Sequence, residues 1–393
     1  MSQSSAHKHA WMLLEDWMAD SLYLAWQYLT HHRRVTILLI AAITLTLYLP
    51  ASLQLIVVSA ERHFRSRADS TPLVIGRRGS PLQLVLQSVY FEKPSRDVIR
   101  FEQAGRVEDQ KLARVIPLHT VFTARDHQVV GTTPEYFHAR NSRLSVGRTP
   151  EMLGECVVGA SVADRLDIQL EEKIPVATTS AFVLANVPLR MKVVGILEAT
   201  ETPDDDAIFT DLETCWVIAG LGHGHQADAK HGSVEATPYT DITVDNVDRF
   251  HFHGDRDEFP ITALLVIPFN DKAETLLQGQ YFSPDETVQI VRPSEVIDSL
   301  LAKVVMVKSY LLVAIALVLL VTLIMIGLVI SLSVRLRRSE MITMRKMGCS
   351  RYTIASVLGC QMTVIFIISA TLAVLLTFAT NQFGPNVIRL LTT

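Results

Sequence analysis

The sequence contains no phosphate cradle of the form G-x-x-x-x-G-K-[ST], so no segment reads as a nucleotide-splitting site. H-E-x-x-H and G-x-S-x-G are missing as well, which removes two common hydrolase signatures. Four cysteines among 393 residues are too few for a disulfide framework. A net charge of −4, with basic residues crowded into one short stretch, argues against nucleic acid as a partner. Charge itself is absent from three long runs, Val35–Val58, Tyr310–Val334 and Tyr352–Thr380. Each exceeds the roughly 20 apolar residues that cross a hydrocarbon core. None carries a central Asp, Glu, Lys, Arg or His, the groups that ion-coupled transporters usually place there.

What is present orients these runs. Six Lys and Arg residues fall within Arg335–Arg351, between the second and third runs, and place that hinge in the cytosol. His31, His32, Arg33 and Arg34 precede the first run and place the N-terminus on the same side. The first run is too long for the roughly 7–15 apolar residues of a signal peptide and follows a long leader, so it reads as a retained span. The expected layout is a cytosolic or interfacial helix over 1–34, a span over 35–58, an external domain over 61–303, and a span over 310–334. A cytosolic hinge over 335–351, a span over 352–380 and an external tail over 381–393 complete it. The expectation is a multi-pass protein of the cell inner (plasma) membrane, with a cytosolic N-terminus and an external C-terminus.

Within the leader, Trp11, Leu14, Met18, Leu22, Ala25 and Leu29 recur at spacings of three and four, drawing one apolar stripe on a helix. Trp11, Trp17 and Trp26 suit the membrane–water boundary, so the helix is read as lying in the inner leaflet, in contact with lipid.

The external segment predicts an α+β domain. Leu73–Ile75, Leu82–Val89, Val129–Val130, Glu155–Val158, Met191–Leu197 and Ile261–Ile267 read as strands. Ser161–Leu166 reads as a helix capped by Ser161, and further helices are expected over Lys272–Gln278 and from Pro293 into the second span. Gly220-Leu-Gly-His-Gly-His225 reads as a loop. Runs of strands without regular βαβ alternation do not predict a doubly wound sheet. Cys156 and Cys215 both lie outside, where a bridge is chemically open, although Cys156 sits in an apolar run that suits a buried free thiol.

The hinge carries a physical signature of docking. Met341, Met344 and Met347 are spaced by threes and give an adaptable apolar ridge, with Arg345 and Lys346 beside it. Such a ridge fits a groove on a soluble partner, and the basic residues also suit anionic lipid.

Several pieces, in order along nearly the whole chain, resemble the permease subunits of MacB/FtsX-type ABC transporters, also called type VII or mechanotransmission transporters. Leu24–Leu39 resembles their first helix. Val130-Gly-Thr-Thr-Pro-Glu-Tyr-Phe137, Val146-Gly-Arg148, Glu155–Ala163 and Val193-Val-Gly-Ile-Leu197 resemble segments of the MacB-like periplasmic core domain. Glu340, Arg345, Gly348 and Ser350 fall on motif positions of the coupling segment. The resemblance implies that Glu340, Met341, Met344, Arg345, Lys346, Met347, Gly348 and Ser350 couple to an ATPase. It implies a cytosolic ABC ATPase dimer that holds ATP and Mg²⁺, this chain itself binding no cofactor and being no enzyme. It also implies a permease pair, either a homodimer or a dimer with a related permease, and an exported, periplasmic or outer-leaflet substrate, with a periplasmic partner protein in reach. Such permeases usually have four spans, and nothing after Thr380 is long enough to cross. The fourth helix is therefore expected to be absent from this branch, or the chain to be truncated.

One feature lies outside that frame. His223, His225, His231, His251 and His253 cluster in sequence, and a His-x-His pair on an extended chain puts two imidazoles, a ligand type that zinc prefers, on one face. Zinc is the candidate ion. The rival reading of the whole chain is a membrane-anchored metal sensor or scaffold that performs no ATP-driven work.

Overall fold

A computed structural model of the chain describes residues 33–176, 189–224, 240–281, 286–336 and 351–391, with short pieces at 23–24, 26–27, 29–31, 283, 342–343 and 346. The chain divides into two compact units: Met1–Glu61 with Lys303–Thr393, and Arg62–Ala302.

The first unit is built from three long helices, Arg33–Asp69, Pro293–Leu336 and Arg351–Leu391, the first two of which run on into the second unit. Among the described residues two stretches, Arg33–Ile56 and Gly359–Thr380, are long and apolar enough to cross a membrane, and the second helix holds a shorter apolar stretch, Leu312–Met325. Their apolar side chains are largely exposed, as with Leu38, Val313 and Val374, which suits contact with hydrocarbon. Pro50 sits inside the first helix, a position a lipid-phase helix tolerates. Hydroxyl groups tie the helices together. Thr44 Oγ1 donates to Ser369 O at 3.4 Å and Ser369 Oγ donates to Ile40 O at 3.3 Å. Tyr48 and Thr380 share a 2.8 Å bond, and Thr46 and Thr322 a 3.3 Å bond. Contacts of this kind hold helices together in lipid, where apolar surface gives no preference for one partner.

The second unit carries two principal sheets. The smaller is antiparallel, in the order Val288–Val291, Leu73–Arg77, Ala263–Pro268, Ala113–Leu118. The larger has eight strands. Its main path runs Thr240–Asp241, Leu189–Leu197, Glu155–Val158, Ala207–Asp211, His127–Thr132, Thr123–Ala124, and Leu144–Gly147 and Lys173–Pro175 pair with Leu189–Leu197. It is mixed: Ala207–Asp211 runs parallel to His127–Thr132 and antiparallel to Glu155–Val158. This is the α+β layout the residue pattern predicts. Alternation along Leu189–Leu197 buries Leu189, Met191, Val193 and Leu197, the period-two pattern of a strand with one face in a core.

Several local expectations fail for identifiable reasons. Leu82–Val89 is not a strand but part of the helix Pro81–Ser88: Ser80 Oγ accepts from Gln83 N at 3.3 Å, and Pro81 is preset for a first helical position. The cap of Ala160–Leu166 is Gly159, and Ser161 lies in its first turn without capping it. Gly222–Gly224, read as loop, forms a short strand against Phe250–Phe252. The helix from Arg351 runs on to Leu391 through the stretch read as a tail. Cys156 and Cys215 are buried free thiols. The reason is spacing. Cys156 pairs with Thr210 and Thr210 with Gly131, which puts Cys156 two strands, roughly 9–10 Å, from Gly131. Cys215 lies directly over Gly131, where a Cβ would meet its Sγ at 2.4 Å.

Two buried groups give this unit opposing pH responses. His119, packed 5.5 Å from Phe122, has no bond to either ring nitrogen, and burial pushes its pKa from 6.5 to about 4. Asp211 caps Leu212–Ile218 through Thr214 N, and burial pushes its carboxyl from 3.8 up to about 6. Between about pH 6.5 and 4 the unfolded chain binds a proton at His119 that the folded chain refuses, so acidification destabilises through this residue. Asp211 works in the opposite sense between about pH 3.8 and 6, because its folded form holds the proton. His119→Leu should therefore remove one destabilising proton, flattening the acid loss by about 1.4 kcal/mol per pH unit inside that window. Melting of the full chain in detergent from pH 7 to pH 5 checks this. An unchanged pH slope in the variant would show that the ring is protonated in the folded state.

Candidate functional site

The first long helix leaves its apolar stretch and continues to Asp69, with Phe64 and Ala68 one turn apart. These last turns belong to the second unit and are sunk into it. Ala68 is fully buried in a core cluster that also contains Val74, Val85, Tyr90, Phe209, Ile297 and Leu301, and Phe64 packs against its edge. Tyr90 packs tilted against Phe64 at 5.2 Å between ring centroids and donates its hydroxyl to Phe64 O.

Arg67 follows the helix into the same interior. Only 6% of it is exposed. Its Nη1 donates to Asp204 Oδ2 at 3.1 Å, its Nη2 to Asp204 Oδ1 at 2.5 Å and to Tyr136 OH at 2.8 Å, and its Nε to Val89 O at 3.2 Å. Tyr136 closes the circuit by donating to Asp204 Oδ1 at 2.7 Å. Planar, bidentate pairing is the geometry a guanidinium fork favours. Burial alone would lower the arginine pKa, and its partners Tyr136 and Asp204 more than reverse that, so the charge is held firmly. Burial raises the Tyr136 phenol, which stays a neutral donor. Arg140 binds the helix end from outside, donating to Ser70 O, Ser70 Oγ and Thr71 Oγ1.

The loop that offers Asp204 is itself pinned. Asp205 accepts from Thr200 N and Glu201 N, and Thr202 Oγ1 accepts from Asp204 N. Gly159 allows the loop to press close: a Cβ there would stand 2.3 Å from Asp204 O. The second long helix enters the same cluster through Ile297 and Leu301. Arg65 and Asp298 bridge the two helices at 3.0 Å, an exposed pair that contributes little. The arrangement has no nucleophile and base in mutual reach. It is a structural joint that holds two helix ends in one core.

Of the residues that sequence singled out for coupling, Lys346 is described, in a helical and exposed position. Glu340, Met341, Met344, Arg345, Met347, Gly348 and Ser350 lie outside the described residues. His225 and His231 lie outside them too, while His223 pairs in register with His251, and the rings of His251 and His253 sit 4.6 Å apart. Among the described residues no three metal-type donors converge. Sequence reasoning missed the joint altogether, because Arg67 looks like an ordinary membrane-flanking arginine and Asp204 like one of three turn aspartates.

The family model of the MacB-like periplasmic core domain matches residues 36–248. The chain belongs to this family. Arg67, Tyr136 and Asp204 all fall within the matched stretch. Membership makes this MacB-like chain an ABC transporter permease-type membrane protein. Similar solved structures include the periplasmic region of MacB from Actinobacillus actinomycetemcomitans, at 10% identity and a TM-score of 0.35, covering 60% of this chain and 97% of that one. The extracellular domain of the noncanonic ABC-type transporter YknZ from Gram-positive bacteria follows at 10% identity and a TM-score of 0.32, covering 56% and 98%. A domain of a permease protein from Porphyromonas gingivalis has 11% identity and a TM-score of 0.25, covering 56% and 86%. Comparison with curated proteins finds no match.

Removing one partner of the joint strands a buried charge, which costs about 3–5 kcal/mol. Arg67→Met and Asp204→Leu should each lower the melting temperature of the full chain by roughly 6–20 °C. The double variant should lose clearly less than the sum of the two. Thermal unfolding of the four proteins in detergent measures this, and additive losses would show that the pair is not coupled.

Proposed function

We propose that this MacB-like chain is the permease subunit of an ABC transporter, passing ATP-driven motion from a cytosolic ATPase to its external domain. The observation that carries the reading is the joint: two long helices with apolar stretches end inside one domain core, the first of them locked by a buried ion pair. A helix end held in this way cannot move without taking the domain along. In this reading the chain crosses the membrane three times, over 35–58, 310–334 and 352–380, with the N-terminus in the cytosol and the C-terminus outside. Residues 335–351 then dock on the ATPase, the Met341, Met344 and Met347 ridge in a groove and Glu340, Arg345, Lys346, Gly348 and Ser350 around it. A dimer of permeases, with itself or a related chain, supplies six helices to two ATPases. The substrate is exported or handled at the outer face.

The test is affinity capture from detergent-solubilised native membranes. The wild-type chain should recover an ABC ATPase, and Glu340→Ala combined with Gly348→Trp should reduce that recovery at least tenfold. Arg67→Met should leave it intact, since the joint lies far along the chain from the hinge. Absence of any ATPase with the wild type would end the transporter reading in favour of a scaffold.

A further inference from the structure

The two principal sheets of the second unit meet at His119. This residue follows the strand Ala113–Leu118 of the smaller sheet and forms an isolated antiparallel bridge with Gly131, in the strand His127–Thr132 of the larger. His119 N donates to Gly131 O at 2.8 Å, and Gly131 N donates to His119 O at 2.9 Å. Thr132 Oγ1 adds a bond to Pro117 O at 3.0 Å. The imidazole is seated among groups that belong to the larger sheet. Phe122, 5.5 Å away between ring centroids, is tied to that sheet by Val129 N and Gln128 Nε2, which both donate to its carbonyl. Cys215, on the helix Leu212–Ile218, lies over Gly131, where a Cβ would meet its Sγ at 2.4 Å and His119 Cβ at 3.4 Å. His119 is buried, and neither ring nitrogen has a partner among the described residues. Such a ring is tolerated while neutral, but an imidazolium in that seat has nothing to replace water.

We propose that His119 is an acid-operated latch: protonation of its ring breaks the bridge to Gly131 and frees the segment 119–122, loosening one sheet from the other while both stay folded. Nearby charges do not stand in for water. Cys215 is the titratable group on the helix above, and burial pushes its thiol well up, so it is neutral. Asp211 caps that helix, and with a pKa of about 6 it is largely protonated by pH 5. On the strand of Gly131, His127 is engaged by Arg165 and Asp206. Arg125 and Asp126, in the turn after Phe122, and Arg114, on the strand leading to His119, are exposed. Burial alone holds the closed ring at about 4, against 6.5 once it is open. The latch is therefore fully closed above about pH 6.5 and weakens as pH falls toward 4. From pH 7 to pH 5 the open population should rise about twentyfold. Asp211 opposes this wherever it too is exposed, so in global unfolding the two groups together would leave only about a twofold change. The device acts in the external domain and does not depend on what docks at the hinge.

The experiment is hydrogen exchange read by mass spectrometry on the full chain in detergent at pH 7 and pH 5, corrected for intrinsic exchange rates. In the wild type, peptides over 117–122 and 129–132 should exchange about twentyfold faster at pH 5. Those over Leu73–Arg77 and Leu189–Leu197 should change no more than about twofold. His119→Leu should abolish the difference between the two pH values at 117–122. Three results overturn the proposal: no acceleration in the wild type, an equal acceleration over both sheets, or an acceleration that persists in His119→Leu. The first two need no variant, so the proposal stays open to refutation even if His119→Leu fails to fold.

Discussion

A guanidinium that is 6% exposed cannot be left to water, and the packing around the helix ends is arranged to answer Arg67. Its donors are met by a carboxylate, a phenol and a carbonyl from three separate places in the chain, Asp204, Tyr136 and Val89. This fixes more than position. Adjacent residues of an α-helix are about 100° apart in rotation and 1.5 Å in rise, so a slip of one residue would carry Arg67 out of reach of all three partners. The first helix is thus indexed to the domain in both rotation and height. The stiffness comes from direction as much as from energy, since charged hydrogen bonds lose strength steeply when bent.

The second helix is held by another kind of force. Ile297 and Leu301 sit in the core and are apolar, and the ion pairs near it, Arg65 with Asp298 and Arg292 with Glu274 and Glu295, are exposed or partly so. Apolar packing is non-directional, and exposed pairs are worth about 0–1 kcal/mol. Rotating or sliding this helix by a small amount strands no buried charge. Two helices enter one core, then, with unequal tolerance for movement. The first is held by directional bonds, and the second is held in the core by apolar packing.

Much of this architecture was legible in the sequence, because its signals are local. Uncharged runs mark the long helices, the β-branched runs ended by glycine mark Glu155–Val158 and Leu189–Leu197, and the order of motifs marks the family. The failures share a cause: a local signal was outweighed by a neighbour. The apolar density of Leu82–Val89 looked like a strand, but the Ser80-Pro81 pair before it starts a helix. Glycines 220, 222 and 224 looked like a loop, yet Phe252 needs a bare backbone opposite it to turn inward. The joint was invisible for a deeper reason. Arg67, Tyr136 and Asp204 are 69 and 68 residues apart in sequence, and each has an ordinary explanation where it stands. Their pairing exists only in the fold.

Continuity of the second helix decides what such a joint can accomplish. It has 44 residues from Pro293 to Leu336, with proline only at its first position, where the missing N–H would have no intrahelical partner. At about 1.5 Å per residue it is roughly 66 Å long, about twice the roughly 30 Å of a hydrocarbon core. An unbroken hydrogen-bonded rod transmits tilt over its whole length, whereas a break would absorb it as local bending. Under the proposed coupling, displacement at one end would reach the buried end, which is held in the core by Ile297 and Leu301. A flexible domain would dissipate that movement. Here the receiving end is a core whose central aromatics, Tyr136, Phe137 and Phe209, interlock at 5.3–5.9 Å between ring centroids, and whose loop at Asp204 is pinned by four hydrogen bonds that the Asp205 carboxylate accepts from Thr200 and Glu201. Close-packed interiors have low compressibility, so strain delivered there passes on to the sheets. Under the proposed coupling, the domain would then move as one body.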